Sequence, residues 1–220
     1  MNQSQNQSQN QHRFDKLEQL ADSIIKDAAN KSRYIFAIAG APGSGKSTLV
    51  QSLQQLLQTK HQCSCQIIAM DGFHLDNETL QQQGLLAVKG SPPTFDLTAF
   101  EQLLTQVKLN QATVLAPIFN RDIDAVVTDA ITISNDTKII LVEGNYLLLK
   151  QLGWQKLAQY FDASVFLDVP MEVLRQRLIK RWIDQGFDLK DAIAKADSND
   201  IPNAQLVLSH SDTRHIISNQ

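Results

Sequence analysis

Cysteine, long apolar runs and charge imbalance are all scarce in this sequence. Its two cysteines, Cys63 and Cys65, lie too close together to staple a fold, and no second ligand cluster accompanies them. Two reduced thiols entering a strand are expected. No apolar run approaches the roughly 18–20 residues that span a bilayer. The N-terminus has no charged stretch followed by an apolar one, so no secretory signal is read there. A cytoplasmic setting is the expectation. The formal net charge is −3, which argues against the broad basic surface that a nucleic acid or an anionic membrane selects. It leaves room for a local basic cleft. Hydrophobic residues make up 43% of the 220 positions and charged ones 20%, enough to bury a full core in one medium domain.

Residues 1–12 are almost entirely Asn, Gln and Ser. Such a tract has no apolar surface to bury and is expected to be a disordered leader to a single domain over 13–220. From Arg13, Phe14, Leu17, Leu20, Ile24 and Ala28 recur at helical spacing. Four apolar runs then read as buried strands: Tyr34–Ala39, Gln66–Met70, Lys138–Val142 and Ala163–Val169. Amphipathic helices are expected after the first strand, over Leu97–Val107, over Met171–Asp184 and over Leu189–Ala196. Ala112–Ala116 and Ala125–Ile133 read as a strand and an edge strand or hairpin. Leu206–Leu208 and His215–Ile217 read as a last strand pair, or one strand with a tail. Strands alternating with helices predict an α/β three-layer sandwich with a mainly parallel central sheet. Ligands of such sheets bind beyond the carboxyl ends of the strands, so Ala39, Met70, Val142 and Val169 should face one cleft.

The loop after the first strand, Gly40-Ala-Pro-Gly-Ser-Gly-Lys46-Ser47, matches the P-loop pattern G-x-x-x-x-G-K-[ST], with a strand before it and a helix after it. Gly43 and Gly45 let successive N–H groups of Ala41, Gly43, Ser44, Gly45 and Lys46 turn inward as an anion nest at a helix N-terminus. Lys46 sets a point charge against the β- and γ-phosphates. Ser47 offers a hydroxyl to Mg²⁺, a hard cation that takes oxygen, and Thr48 supports the α-phosphate. ATP with Mg²⁺ is the expected ligand. No Asn-Lys-x-Asp guanine reader follows, and the chain is short for a nucleic-acid motor.

Three further features point from binding to transfer. Asp71 directly follows the second strand and is placed to act as general base toward an attacking hydroxyl. Glu143 closes the third strand, where an acid orients Mg²⁺ or the acceptor. Arg175, Arg177, Lys180 and Arg181 crowd one helix, with Arg177 and Arg181 on a shared face, as in a lid over the transferring phosphoryl. The lid is set at about residues 171–197.

These pieces resemble a known superfamily. Gly40–Ser47, Met70-Asp-Gly-Phe-His74, Lys89-Gly-Ser-Pro-Pro-Thr-Phe-Asp96, Pro117-Ile-Phe-Asn-Arg121, Glu143-Gly-Asn-Tyr-Leu-Leu148 and Asp168-Val-Pro170 occur in the order seen in uridine kinases, phosphoribulokinases and bacterial pantothenate kinases. The likeness runs from about Tyr34 to Val207 and is strongest to the nucleoside/nucleotide kinase-like, fructokinase-like branch. It implies a P-loop NTPase fold that moves the γ-phosphate of ATP to a small-molecule hydroxyl. It also implies Asp71 as base, Lys46, Arg177 and Arg181 on the phosphates, Ser47 and Glu143 at the metal, and Asn203 beside the adenine. Phe73, His74, Lys89, Arg121, Glu143 and Tyr146 would line the acceptor pocket. Many relatives carry Asp where this chain has Asn120, and an amide cannot serve as base or strong metal ligand. The acceptor stays open among sugars, glycerate, pantothenate and nucleosides. A regulatory ATP-binding module with slow or no metabolite phosphorylation is the alternative, and a homodimer is the base-rate oligomer.

Overall fold

The computed structural model describes residues 2–213 and 215–218. Its first helix, α1, spans Asn2–Ala28. Helix therefore continues through the tract expected as a leader without structure; Met1 lies outside the described residues. Adding turns to an existing helix costs far less than nucleating one, and Gln and Ser are moderate helix formers.

Five strands form one parallel sheet in the order β2-β5-β1-β6-β7: β1 (Tyr34–Gly40), β2 (Cys65–Ala69), β5 (Ile139–Gly144), β6 (Ala163–Asp168) and β7 (Ile216–Ser218). β3 (Val114–Asn120) and β4 (Ala125–Ile133) pair antiparallel as a separate hairpin. The period-two side-chain alternation of the strands sorts residues into two cores. Tyr34, Phe36, Ile38, Leu141, Val165 and Leu167 face α1 and α2 (Lys46–Thr59), where Ala21, Ile24, Leu53 and Leu57 close on them. Ile35, Ala37, Ile140, Val142 and Phe166 face the opposite layer, built on α4 (Leu97–Leu109), α5 (Met171–Asp184), α7 (Ile201–His210) and Trp154. Burial on both sides is why the strands read as unbroken apolar runs.

Two short helices complete the order, α3 (Asn77–Gln82) and α6 (Leu189–Lys195). After α6 the chain widens into a π turn, Ala196–Asp200, before α7. Leu206–Leu208, read as strand, lies inside α7 instead. Pro202 in the first turn presets helical φ, and Ala204 and Val207, three apart, are buried against the core. Packing of that face outweighs the β preference of a short apolar run.

Every pairing within the five-stranded sheet is parallel, so the carboxyl ends of β1, β2, β5 and β6 share one edge. Their spacing is tight. A Cβ on Gly144 would fall 2.5 Å from Met70 Cβ, and one on Gly72 would fall 2.5 Å from Pro117 O. Gly144→Ala is expected to destabilise the fold by about 1–3 kcal/mol, the range for overpacking. A lowered urea midpoint with an unchanged slope would show it; a neutral result would mean that Met70 has room to retreat.

Candidate active site

The loop Gly40–Ser47 joins the end of β1 to α2. Gly43 (φ 79°) and Gly45 (φ 92°) occupy left-handed backbone that other residues rarely adopt. A Cβ on Gly43 would also press within 3.2 Å of Leu178 on α5. Ser44 N donates to Ala41 O at 3.1 Å, and Lys46 Nζ curls back to the same carbonyl at 3.0 Å. Lys46 Nζ also donates to Asn145 Oδ1 at 2.7 Å. Lys46 is buried, and burial pushes its ammonium down from the ordinary lysine value while Glu143 and Asp71 pull it up. Ser47 and Thr48 are exposed in the first turn of α2.

Strand register sets the acids. Glu143 on β5 pairs with Ile38 of β1 on one side and Ala69 of β2 on the other. It accepts from Ser47 Oγ at 2.9 Å. Burial pushes its carboxyl up, opposed by the Lys46 charge and reinforced by Asp71. Asp71 lies two residues past Ala69, in a 3₁₀ turn over Met70–Phe73. Its Oδ2 accepts from Arg121 Nη2 at 2.8 Å, and Arg121 reaches it from the hairpin after β3. One edge of the sheet thus gathers Lys46, Ser47, Glu143, Asp71 and Arg121. Ser47 and Glu143 are hard oxygen donors side by side, which suits Mg²⁺. Among the described residues no group of three His, Cys, Asp or Glu side chains could hold a metal alone. A cation here would complete its shell with phosphate oxygens and water.

The residues expected to line an acceptor pocket are not all placed alike. His74 packs with tilted rings against Phe95 (4.1 Å) and Phe119 (4.7 Å), and its Nδ1 donates to Asp71 O at 2.8 Å. Burial pushes its imidazole down, favouring the neutral ring. Lys89 is already engaged, with Nζ on Asn77 Oδ1 (2.8 Å) and Asp124 Oδ1 (2.9 Å). Phe73 and Tyr146, expected in the pocket lining, are buried in the hydrophobic core. Phe73 packs on Phe100 at 4.6 Å. Tyr146 is fully buried beside Phe95 and Trp154, and its hydroxyl donates to Gly90 O at 2.7 Å. Both bury large ring areas, and the Gly90 carbonyl satisfies the phenol. Asn120 Oδ1 accepts from Asp122 N at 2.9 Å, a turn bond that an amide makes without charge.

The basic helix α5 lies over the P-loop. Arg177 Nη1 donates to Gly43 O at 3.4 Å. Arg181 Nη2 donates to Asp200 Oδ1 at 2.7 Å, and Trp182 Nε1 to Asp200 Oδ2 at 2.6 Å. Arg175 pairs with Asp197, and Lys180 with Asp184, at exposed positions. Asn203 is buried at the start of α7 and donates to Asn199 Oδ1 at 2.9 Å. Sequence reading missed Asn145 and Asp200. Asn145 was within reach, being the polar residue two past Glu143; nothing local in the sequence marks Asp200 as a partner of Arg181.

The phosphoribulokinase/uridine kinase family model matches residues 35–207. Among curated proteins, an uncharacterised Escherichia coli K12 protein, YggC, is 35% identical over 186 residues, covering 84% of this chain and 77% of its own. The pantothenate kinase of Latilactobacillus sakei is 34% identical over 190 residues, and the match spans 83% of this chain but only 60% of that longer protein. Among solved structures, a protein of Silicibacter sp. TM1040 provisionally assigned as a fructose transport system kinase superposes with TM-score 0.86 at 35% identity, covering 93% and 98% of the two chains. The motif order, the parallel sheet and these matches agree: the chain belongs to the phosphoribulokinase/uridine kinase family of P-loop kinases.

Proposed function

We propose that the protein transfers the γ-phosphate of ATP to a hydroxyl of a small metabolite, with Asp71 as general base. The observation that carries this reading is the register at the sheet edge, which sets Glu143 between the P-loop lysine and the acid at 71. The amides of Ala41 and of residues 43–48, at the N-terminus of α2, receive the polyphosphate. Lys46, held by Ala41 O and Asn145, carries the positive charge toward its β,γ end. Ser47 and Glu143 would hold Mg²⁺, which would supply positive charge against the charge developing on the phosphates. Asp71 accepts the hydroxyl proton as the oxygen attacks phosphorus and the bond to ADP breaks. Arg121 holds only Oδ2 of that carboxylate, which leaves Oδ1 to take the proton. His74 and Phe119 form a wall beside this transfer.

Kinases of nucleosides, pantothenate and glycerate occur among the relatives and fold neighbours, so sugars, glycerate, pantothenate and nucleosides all enter the test. ADP release is measured with Mg²⁺ and ATP against a panel of such hydroxylated metabolites. One compound should raise the rate far above the water background. A flat panel, with nucleotide binding alone shifting the conformation, would favour the regulatory module instead. Both cysteines are free thiols, which fits a cytoplasmic enzyme; among the described residues no helix is long and apolar enough to cross a membrane.

Lys46→Met is expected to lower kcat/KM for ATP by roughly a hundredfold, the scale for removing one group aimed at transition-state charge. Steady-state kinetics on the responding acceptor would measure it. An effect under threefold would mean that the backbone nest supplies nearly all the phosphate stabilisation.

A further inference from the structure

The lid helix holds several cations, and their partners differ in kind. Arg175 and Lys180 face Asp197 and Asp184 in solvent, where such pairs add little. Arg181 instead meets a buried carboxylate. Asp200 is 7% exposed, and both of its oxygens are spoken for by consecutive residues of α5, Arg181 at 2.7 Å and Trp182 at 2.6 Å. A buried ion pair is a poor way to gain stability, since apolar side chains of similar volume often do as well. What it supplies is a fixed place for the guanidinium.

That place is over the phosphate loop. Arg177, one turn before Arg181, donates to Gly43 O, and Leu178 fills the space above Gly43. Arg181 Nε is buried without a hydrogen-bond partner, so the guanidinium is only partly satisfied by Asp200. Its charge is also felt at Lys46, where it opposes protonation. Asp200 ends the π turn Ala196–Asp200, a form that recurs at functional sites. The preceding residue of that turn, Asn199, donates to Lys89 O at 2.7 Å on the acceptor side. Two successive residues of one turn therefore reach the lid and the acceptor loop.

We propose that Asp200 is a positioning residue for phosphoryl transfer: its buried carboxylate holds the Arg181 guanidinium over the P-loop, where it meets the γ-phosphate of ATP. The proposal rests on the kinase reading above and adds to it the group that places the lid arginine.

The test compares the affinity of the full-length protein for Mg²⁺ with ADP and for Mg²⁺ with the imido analogue of ATP, by calorimetry. Asp200→Asn keeps an acceptor for Trp182 and removes the charge that holds Arg181. It should leave ADP binding within about threefold and weaken the ATP analogue at least tenfold. Arg181→Ala should do the same, and the double variant should lose no more than Arg181→Ala alone, because one residue acts through the other. Equal weakening of both nucleotides, unchanged binding of both, or losses that multiply in the double variant would each overturn the proposal. Should Asp200→Asn fail to fold, the paired swap Asp200→Leu with Arg181→Met removes both charges together. Wild-type affinity for the ATP analogue in that chain would equally overturn it. A wild-type protein that binds neither nucleotide would remove the kinase reading itself, whereas a preference for the analogue that survives Asp200→Asn removes only this inference.

Discussion

Asp71→Asn is expected to cut kcat about a thousandfold while ATP affinity stays within about threefold. Asn keeps the shape and a hydrogen-bond acceptor but cannot take a proton, and positioned general bases contribute roughly 10²–10⁴ in rate. The fold should tolerate the change. Asp71's partner is Arg121, whose side chain is 62% exposed, and exposed ion pairs contribute at most about 1 kcal/mol. The polyphosphate site should tolerate it too, because Lys46 is fixed by Ala41 O and Asn145 Oδ1 rather than by Asp71. Coupled ADP release with the responding acceptor gives the rate, and calorimetry with ATP gives the affinity. If affinity fell in step with rate, Asp71 would be a structural residue of the cleft, and another group would have to remove the proton.

The strand ends explain how much of this was legible in the sequence. An acid or a P-loop placed directly after a buried apolar run lands on the sheet's carboxyl edge whatever the order of strands, so Lys46, Asp71 and Glu143 could be placed in one cleft from local patterns. Arg121 came instead from the family resemblance, because β3, which it follows, belongs to the separate antiparallel hairpin and not to the parallel sheet. Side-chain direction around the acceptor pocket was not legible. Tyr146 sits in the same motif as Glu143, three residues on, yet it turns into the core because Phe95, from a segment far back in sequence, and Trp154, from the turn that follows, close on it. The Asp200–Arg181 contact likewise joins residues 19 apart through a π turn that no composition or periodicity foretells. Leu206–Leu208 shows the same limit, since a short apolar run fits a strand or a buried helix face until its packing is known.

The opposite end of the sheet holds the largest expected effect on stability. Arg33, just before β1, is 6% exposed. Its guanidinium donates through Nε to Thr137 O at 3.0 Å, through Nη1 to Val107 O at 3.0 Å, and through Nη2 to Ser134 O. Val107 lies in the last turn of α4, where carbonyls lack helical donors and the helix dipole favours a cation. The other two belong to the turn that leads into β5. One side chain therefore ties α4, β1 and the β4–β5 connection together, and burial pushes it down from the usual arginine value without uncharging it. Arg33→Met keeps much of the volume but leaves the buried carbonyls of Val107 and Thr137 unpaired, while Ser134 O keeps its bond from Thr137 N; each loss is worth about 1–3 kcal/mol singly and less than additively together. A loss of about 3–5 kcal/mol is expected, lowering Tm by roughly 10 °C for a domain of this size. Arg33→Lys should recover less than half, because an ammonium cannot reproduce the planar fork. β1 runs for 7 residues, about 20 Å, between Arg33 and the P-loop. ATP affinity measured well below the unfolding midpoint should therefore match the wild type. An Arg33→Met protein with an unshifted midpoint would show that water serves the freed carbonyls equally well.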